Sequence, residues 1–578
     1  MGDNMNACKE RTLLLIGLMA FSLSLQAEVK LPALISDNML LQADKSVPIW
    51  GTADPGEKVT ISFDGQIQSA TADADGRWEV RLNPLKANRC GAMTVAAKNT
   101  ISINNVLVGS VWICSGQSNM EMRIGAVSNA TMEIAKAKFP KIRLFNVKRA
   151  TALLPQTDVE GHWVECSPES LPAQGVGFSA AAYYFGRDIH LATGLPVGLI
   201  EAAWGGTTAE AWTSLSGLGK DPDLDAHVQR YHYLLTHMPE LSAKYEQMLA
   251  EYPAKYKAWQ EGNKPYAEAL KNWFAEAAEA RVAGKPAPPR PSPNSPEPQV
   301  GYAPDKNPGN PASLYNGMIA PLVPYAIEGV IWYQGESHSG RPLGYRKLFP
   351  ALISDWRQQW GLGDFPYYYC QVANFLPKQE NPGESLWAEL REAQRLALRL
   401  PNTGMAVLID IGETADVHPA NKQEVGSRLA RIALAKHYGK GGCFTGPVYR
   451  SMNVEGEKIR LNFDPIGGEL MAKELPATYD VSTRRNETRP LVRNRPGSQL
   501  EGFAICGADR KWVWADARID GRTVLVSAPE VKQPVAVRYA WADNPTCNLY
   551  NKEGLPAGPF RTDDITASPS AETPSKKP

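Results

Sequence analysis

The amino-acid sequence predicts an α/β protein in which a three-layer αβα domain with a mostly parallel sheet is flanked by β-rich regions. Short apolar runs, typical of strands covered on both faces, recur through the middle of the chain. Helix-period segments lie between them, which favours a parallel sheet with helices on both faces. The chain of 578 residues is also too long for one compact core. The predicted strands are 142–147, 197–203, 330–333, 367–372 and 406–409.

Two predicted helices of this domain are marked by apolar residues at helical spacing. Their apolar positions are Phe178, Ala182, Phe185 and Ile189 in the first helix, and Val425, Leu429 and Ile432 in the second. Gly194 followed by Leu195-Pro196 is a typical stop signal for the first of them. We therefore assign residues 106–439 to the αβα domain.

The flanking regions read as β structure because apolar and polar residues alternate between Gly- and Asn-rich turns. Residues 28–105 predict a small sandwich-like region, and 440–565 predict a second β region. At the N-terminus, two basic residues precede an apolar run at 13–25 and a small residue, Ala27, which is the pattern of a signal peptide over 1–27. The composition of 566–578 predicts a disordered tail. We therefore expect a secreted or periplasmic protein without membrane insertion.

Residues 221–311 interrupt the alternation of strands and helices. Two apolar helical stripes, over 241–252 and 266–277, predict a helical hairpin, and a proline-rich tract at 285–293 then returns the chain. Such an insertion fits a lid or a docking site, although a surface elaboration without function is the simpler interpretation.

The composition excludes several functional classes. The formal net charge is zero, with 61 basic and 61 acidic residues, so no electrostatic footprint for nucleic acid exists. None of the eight cysteines forms a C-x-x-C pair. Three histidines recur every five residues, a spacing that does not stack them on one helix face: His227, His232 and His237. We predict no metal site and no cofactor.

The stretch 111–120 contains the first candidate for chemistry. The apolar run 111–114 gives way to small and polar residues with Ser118 among them, as expected where a buried strand turns into a helix. A serine at such a sheet edge is a candidate nucleophile if a base and an oxyanion site come from elsewhere. The alternative is that Ser118 only caps the following helix.

Two further strand ends supply candidate oxyanion donors. Gly205 and Gly206 follow the strand 197–203, and paired glycines allow a backbone N–H to approach a bound oxygen closely. Gln334 follows the strand 330–333 and offers an amide N–H. The Ser118 N–H is a third candidate of this kind.

A third strand end supplies a candidate base. His418 lies on a predicted loop before Pro419, so its Nε2 is placed to accept the Ser118 proton, while Asp416, two residues earlier, orients the ring through Nδ1. Asp410 and Glu413 are the alternative orienting acids. The chain order of Ser, Asp and His is the order found in other α/β hydrolases.

Together these stretches resemble the sialate O-acetylesterase-like branch of the SGNH/GDSL hydrolases, a group of carbohydrate acetylesterases. The motifs are G-Q-S-N-M at 116–120, W-Y-Q-G-E-S at 332–337, and D-V-H-P at 416–419 with N-K-Q at 421–423. The resemblance implies an SGNH-type αβα fold and a cofactor-free serine esterase that removes acetyl groups from an acetylated glycan. It implies the same roles for Ser118, His418 and Asp416.

Residues beside Ser118 and after the strand ends are candidates for the substrate pocket. The candidates for substrate contacts are Asn119, Trp212, Glu336 and His338. The chain departs from the family pattern at His338, where relatives commonly carry Asn, and at Asp416, which many SGNH enzymes place three residues before the histidine. These departures leave the pocket contact at 338 and the identity of the acid open.

Three functions compete at this stage. The first is hydrolysis of O-acetylated sialic acid, and the second applies the same mechanism to an acetylated plant polysaccharide such as xylan or xyloglucan. The third is a glycan-binding protein without catalytic activity, which the presence of Ser118, His418 and the glycine pair disfavours.

Overall fold

The structure is a computed structural model and describes residues 28–171, 177–282, 288–475, 478–479, 489–490 and 493–563. The signal peptide predicted over 1–27 and the tail predicted over 566–578 lie outside the described residues. Within the described part of the chain, no helix is both long and apolar enough to cross a bilayer.

The described strands are numbered in chain order. They are β1 (Leu40–Gln42), β2 (Val47–Thr52), β3 (Lys58–Phe63), β4 (Gln66–Thr71), β5 (Arg77–Leu82), β6 (Cys90–Ala96), β7 (Thr100–Gly116), β8 (Phe139–Asn146), β9 (Trp163–Cys166), β10 (Val197–Ala203), β11 (Gly329–Tyr333), β12 (Tyr367–Cys370), β13 (Thr403–Ala406), β14 (Val448–Glu455), β15 (Lys458–Asp464), β16 (Leu470–Ala472), β17 (Thr478–Tyr479), β18 (Arg489–Pro490), β19 (Phe503–Cys506), β20 (Trp512–Trp514), β21 (Asp516–Asp520), β22 (Thr523–Ser527), β23 (Ala536–Tyr539), β24 (Leu549–Asn551) and β25 (Phe560–Arg561).

The described α-helices are numbered in the same way. They are α1 (Ser118–Glu121), α2 (Ala130–Lys136), α3 (Ala180–Thr193), α4 (Leu215–Leu218), α5 (Asp225–Thr236), α6 (Met238–Gly262), α7 (Lys264–Val282), α8 (Pro342–Trp360), α9 (Leu386–Leu396) and α10 (Lys422–Lys436).

The predicted fold class is confirmed by a central sheet that is almost entirely parallel. Its strands follow the order β13-β12-β11-β7-β10-β8-β9, and each pair is parallel except β8 with β9. All residues of β10, β11, β12 and β13 are buried, as strands with helices on both faces must be. α3 and α10 pack together on one face, and α8 and α9 on the other, where they join separate apolar cores.

One long strand links the N-terminal region to the central sheet. Residues 100–107 of β7 pair with β6 in an antiparallel sheet, and residues 110–116 pair with β10 in the parallel sheet. The boundary proposed near residue 105 therefore falls inside a continuous strand. β7 ends at Gly116, two residues before Ser118.

Two details of the predicted elements are wrong. The last strand of the parallel sheet, predicted over 406–409, is β13 at residues 403–406. Residues 407–409 are buried but do not pair with another strand. The insertion does form helices, α6 and α7, but none of their described side chains is buried. Most of the stripe residues are partly buried, and Met248 is 45% exposed, so the two stripes do not form a fully buried hairpin core.

The C-terminal region consists of antiparallel sheets that pack on the parallel-sheet domain. Two four-stranded sheets, β14-β15-β22-β21 and β20-β19-β23-β25, share an apolar core. The fully buried Arg391 of α9 connects the two parts, because its guanidinium donates to the carbonyl groups of Ala542 and Asp543 in the C-terminal region.

Candidate active site

The nucleophile candidate sits where three parallel strands end together. β7 ends at Gly116, whose φ is 142°, and a Cβ there would lie 2.1 Å from the Tyr333 carbonyl oxygen at the end of β11. Only glycine fits so close to another strand. The Gln117 N–H donates to this same carbonyl at 3.0 Å, and the Trp204 N–H after β10 donates to the Gly116 carbonyl at 3.2 Å. The ends of β7, β10 and β11 are thus fixed to each other.

Ser118 opens α1 at this turn, and its hydroxyl contacts a histidine 300 residues away. Ser118 Oγ lies 2.8 Å from His418 Nε2. His418 Nδ1 lies 2.9 Å from Asp416 Oδ1, which also accepts the His418 backbone N–H at 2.9 Å. The capping alternative for Ser118 is wrong, because the N-cap residue is Gln117 and no side-chain cap bond is formed. The three side chains form one hydrogen-bonded chain.

The two alternative acids have other partners. Asp410 forms two hydrogen bonds with the Arg428 guanidinium, at 2.6 Å and 2.9 Å, and accepts from the Tyr550 hydroxyl at 3.0 Å. Burial alone would raise the pKa of Asp410, but the Arg428 charge outweighs burial and holds it below its usual value. Glu413 is buried and its Oε1 accepts the Ala420 N–H at 2.8 Å. Both carboxylates thus stabilise the loop and its surroundings.

Ser118 and His418 lie at the wall of an open cleft of about 1340 Å³. The cleft is larger than most pockets for small molecules, which are about 300–1,000 Å³. Arg123 and Arg149 line the cleft, and each of them pairs with an acidic side chain. Arg123 Nη1 pairs with Glu201 at 2.6 Å, and Arg149 Nε donates to Glu121 Oε1 at 2.7 Å. A serine, a histidine and an acid at an open cleft match the requirements of ester hydrolysis through an acyl-enzyme.

Comparisons with known proteins agree with this geometry. Residues 108–250 and 305–435 match the family model described as "Carbohydrate esterase, sialic acid-specific acetylesterase". Sialate O-acetylesterase of Mus musculus is 28% identical, with 91% of this chain and 93% of the relative covered, and that of Homo sapiens is 26% identical, with 91% of each covered. The crystal structure of a carbohydrate acetylesterase from Xanthomonas citri is 31% identical, with a TM-score of 0.70 over 93% of this chain and 100% of the other.

The chain belongs to the sialic acid-specific acetylesterase family of carbohydrate esterases. It is therefore a carboxylic-ester hydrolase, and the αβα fold implied by the three motifs is the fold observed. The family match passes over residues 251–304, so the C-terminal part of α6 and the whole of α7 lie in a part of this esterase outside the family model.

The structure of the esterase separates the four candidate oxyanion donors. The Gly205 N–H donates to Glu121 Oε2 at 2.8 Å, so an acidic side chain occupies it. Within the described residues, the N–H groups of Ser118 and Gly206 have no acceptor. Both remain available to a bound oxygen.

Gln334 is not presented to the nucleophile. Its side chain is completely buried, and its Nε2 lies 3.3 Å from the Thr207 carbonyl and 3.0 Å from His338 Nδ1. Its Oε1 accepts from the Tyr345 hydroxyl at 2.9 Å. Because both N–H groups of the amide have partners in this network, the predicted role as oxyanion donor lacks support from the geometry.

Two of the predicted substrate contacts have side chains that lie in the interior. Trp212 has no exposed surface, and its Nε1 donates to the Thr207 hydroxyl at 2.9 Å. His338 is 1% exposed, with Nε2 3.1 Å from Glu210 Oε2. Burial lowers the pKa of His338, although Glu210 opposes this. Neither side chain reaches the cleft.

Asn119 and Glu336 lie beside the triad, where Asn119 is buried and Glu336 is partly exposed. Asn119 has no exposed surface, and its Nδ2 donates to Glu336 Oε1 at 2.6 Å. Burial raises the pKa of the Glu336 carboxyl. Asn119 is therefore placed to hold the site together rather than to touch substrate.

Sequence reasoning missed Glu121 and Arg149. Glu121 lies three residues after Ser118 on α1, and the spacing i, i+3 on a helix is the signal that places both on one face. Arg149 pairs with Glu121 and also lies over the Trp204 ring, 5.3 Å from its centroid. No helical or strand spacing relates Arg149 to Ser118, because Arg149 lies in the loop that follows β8.

Replacing Gly205 by alanine is expected to lower kcat about a hundredfold. The added Cβ would lie 3.1 Å from Ser118 Cβ and 3.2 Å from Glu121 Oε2, so the nucleophile has to shift. Hydrolysis of 4-nitrophenyl acetate measures the effect. Gly340→Ala is the control, because an added Cβ there meets nothing within 4 Å. A Gly205→Ala enzyme with the wild-type kcat would show that Ser118 tolerates the contact.

Proposed function

We propose that this esterase removes O-acetyl groups from sugars through an acyl-serine intermediate, and that O-acetylated sialic acid is its first candidate substrate. The observation that carries the proposal is the hydrogen-bonded chain from Ser118 Oγ through His418 to Asp416 beside an open cleft. Membership of a carbohydrate esterase family supports the acetylated sugar as the substrate class.

In the proposed mechanism, Ser118 Oγ attacks the acetyl carbonyl carbon while His418 Nε2 takes the hydroxyl proton. Asp416 accepts the Nδ1–H and stabilises the imidazolium that forms. The tetrahedral intermediate collapses when the sugar oxygen leaves with the proton from Nε2. Water then attacks the acetyl-serine with His418 as base, and the second tetrahedral intermediate collapses as Ser118 Oγ leaves with the proton from Nε2. Acetic acid is released and ionises to acetate. The enzyme returns to its starting protonation state.

The oxyanion of both intermediates needs donors close to Ser118. The free N–H groups of Ser118 and Gly206 support a role for both, and one such donor is typically worth about 3 kcal/mol of barrier. The Gly205 N–H joins them only when the Glu121 carboxylate releases it. We therefore assign the main stabilisation to Ser118 and Gly206.

The identity of the sugar depends on whether the cleft binds a negatively charged group. Sialic acid carries a carboxylate, and the arginines of the cleft wall, Arg123 and Arg149, are the groups that would bind it. The curated relatives named as sialate O-acetylesterases support this substrate.

A second candidate function is deacetylation of a neutral plant polysaccharide such as xylan or xyloglucan. Both cleft arginines already have acidic partners, so an anionic sugar has to compete with Glu201 or Glu121. A neutral polymer meets no such competition, and a cleft of about 1340 Å³ has room for several of its units. This observation favours the second candidate only for the choice of sugar, since the mechanism is the same.

Acetate release tests the two candidates directly. The mature protein is purified from the periplasm or the medium. If the predicted signal peptide over 1–27 is removed, Glu28 is the first residue of the purified protein. It is then incubated with O-acetylated sialic acid, acetylated xylan and acetylated xyloglucan. Release from the sialic acid alone supports the first candidate, and release from the polymers alone supports the second. No release from any of them would favour a glycan-binding protein without activity.

A further inference from the structure

A lysine near the catalytic histidine is completely buried. Lys422, the first residue of α10, has no exposed surface. Fully buried lysines are rare unless their charge is paired. The first turn of a helix is also the positive end of the helix dipole, which disfavours a cation. The position of Lys422 is therefore unfavourable unless its contacts compensate for it.

The ammonium group of Lys422 connects the two segments that carry the reacting side chains. Its Nζ donates to Asn119 Oδ1 at 2.6 Å and to the Pro419 carbonyl at 2.9 Å. Asn119 is the residue after Ser118, and Pro419 is the residue after His418. Lys422 thus joins the nucleophile turn to the histidine loop.

Asn119 extends these contacts to the other side of His418. Its Nδ2 donates to the Val417 carbonyl at 3.0 Å and to Glu336 Oε1 at 2.6 Å. The carbonyl groups directly before and after His418 are therefore each held by a buried donor, one from Asn119 and one from Lys422. The Glu336 carboxylate also interacts electrostatically with Lys422, which offsets the buried positive charge.

The histidine loop depends on such contacts for its position. No helix or strand lies between Ala406, the end of β13, and Lys422. Proton transfer from Ser118 to His418 requires hydrogen-bond geometry, and a displacement of about 1 Å is enough to slow catalysis strongly. A loop without regular structure keeps His418 within that distance of Ser118 only if other residues hold the loop backbone in place.

We propose that Lys422 is a positioning residue for ester hydrolysis, which acts with Asn119 to hold His418 Nε2 on Ser118 Oγ. The inference rests on the proposed function, since it takes Ser118 and His418 as the reacting pair. Lys422 touches no substrate in this role, so its loss should change kcat and leave KM unchanged.

The test compares Lys422→Met with Lys436→Met in the full-length protein. Methionine keeps most of the side-chain volume and removes the ammonium group. Lys436, an exposed lysine of the same helix, is the control, because it lies at the other end of α10, about 20 Å along the helix, and its Nζ donates to the Thr403 carbonyl. The readouts are kcat and KM with 4-nitrophenyl acetate, the rate of Ser118 labelling by a fluorophosphonate, and Tm.

Lys422→Met is expected to lower kcat and the labelling rate about a hundredfold each, with KM within about twofold of wild type. Lys436→Met is expected to keep both rates even if its Tm falls. Equal losses of rate in the two variants, or a wild-type labelling rate in a folded Lys422→Met protein, would overturn the proposal.

Asn119→Ala gives an independent test if Lys422→Met does not fold. It is expected to lower kcat by a similar factor, and the double variant is expected to lose no more than either single variant, because both break one network. A wild-type kcat in Asn119→Ala, or fully additive losses, would refute the proposal. Ser118→Ala separates this failure from that of the proposed function: if Ser118→Ala keeps its activity, the assumed reaction itself is wrong.

Discussion

Ser118→Ala is expected to lose about five orders of magnitude in kcat while keeping its Tm. The hydroxyl that bonds His418 Nε2 at 2.8 Å is the nucleophile of the acylation step, and its removal leaves just the oxyanion donors and substrate binding. Ser118 is only partly buried, so the missing oxygen leaves no core cavity. Acetate release under single-turnover conditions and thermal unfolding measure the two quantities.

The control for this variant is Ser337→Ala, a partly buried serine of the neighbouring motif whose hydroxyl makes no contact with His418. It is expected to keep kcat within about tenfold of wild type. Labelling with a fluorophosphonate followed by peptide mapping should place the adduct on Ser118. An alanine variant that retains a hundredth or more of the wild-type rate would exclude Ser118 as the nucleophile.

Asp416→Asn is expected to lower kcat about 10⁴-fold with little change in KM. Asp416 Oδ1 accepts from both the backbone N–H and Nδ1 of His418, so it fixes the loop and the tautomer together. An asparagine keeps the shape but carries no charge to stabilise the imidazolium. Steady-state kinetics with 4-nitrophenyl acetate separate the two parameters.

Asp410→Asn distinguishes an orienting acid from a structural one. Asp410 is held by Arg428 and Tyr550, and removing one partner of a buried ion pair typically costs about 3–5 kcal/mol of unfolding free energy. We expect a lower Tm with a much smaller change in kcat than in Asp416→Asn. The reverse ranking of the two variants would transfer the orienting role to Asp410.

The parallel sheet and the location of the site were predictable because they depend on local pattern. Apolar runs of strand length, such as 197–203, were assigned to the sheet from their composition, and β10 occupies the same residues. The carboxyl ends of parallel strands meet at one edge, so Ser118, the glycine pair and His418 were expected to lie together. Sequence spacing was therefore sufficient to name Ser118 and His418, whereas the contact of His418 with Asp416, and not with Asp410 or Glu413, came from the structure.

The burial of individual side chains was not predictable from the same pattern. Trp212 and His338 follow the strand ends and were taken for substrate contacts, yet both lie in the interior. Neighbouring residues on a turn point in different directions, and only the packing of distant elements decides which of them face the cleft. The apolar stripes of α6 and α7 are only partly buried for the same reason, since helical spacing does not reveal how much partner surface covers them.

By itself, the sequence determined the fold class and, through its resemblance to a known family, the esterase chemistry, because strand length, turn chemistry and motif order are local properties. The tertiary structure decided which donors remain free at the oxyanion site, through the contact of Glu121 with the Gly205 N–H. It also decided that Lys422 is buried against Asn119, 303 residues earlier in the chain. Such contacts depend on long-range packing, which brings together side chains that no spacing in the sequence relates.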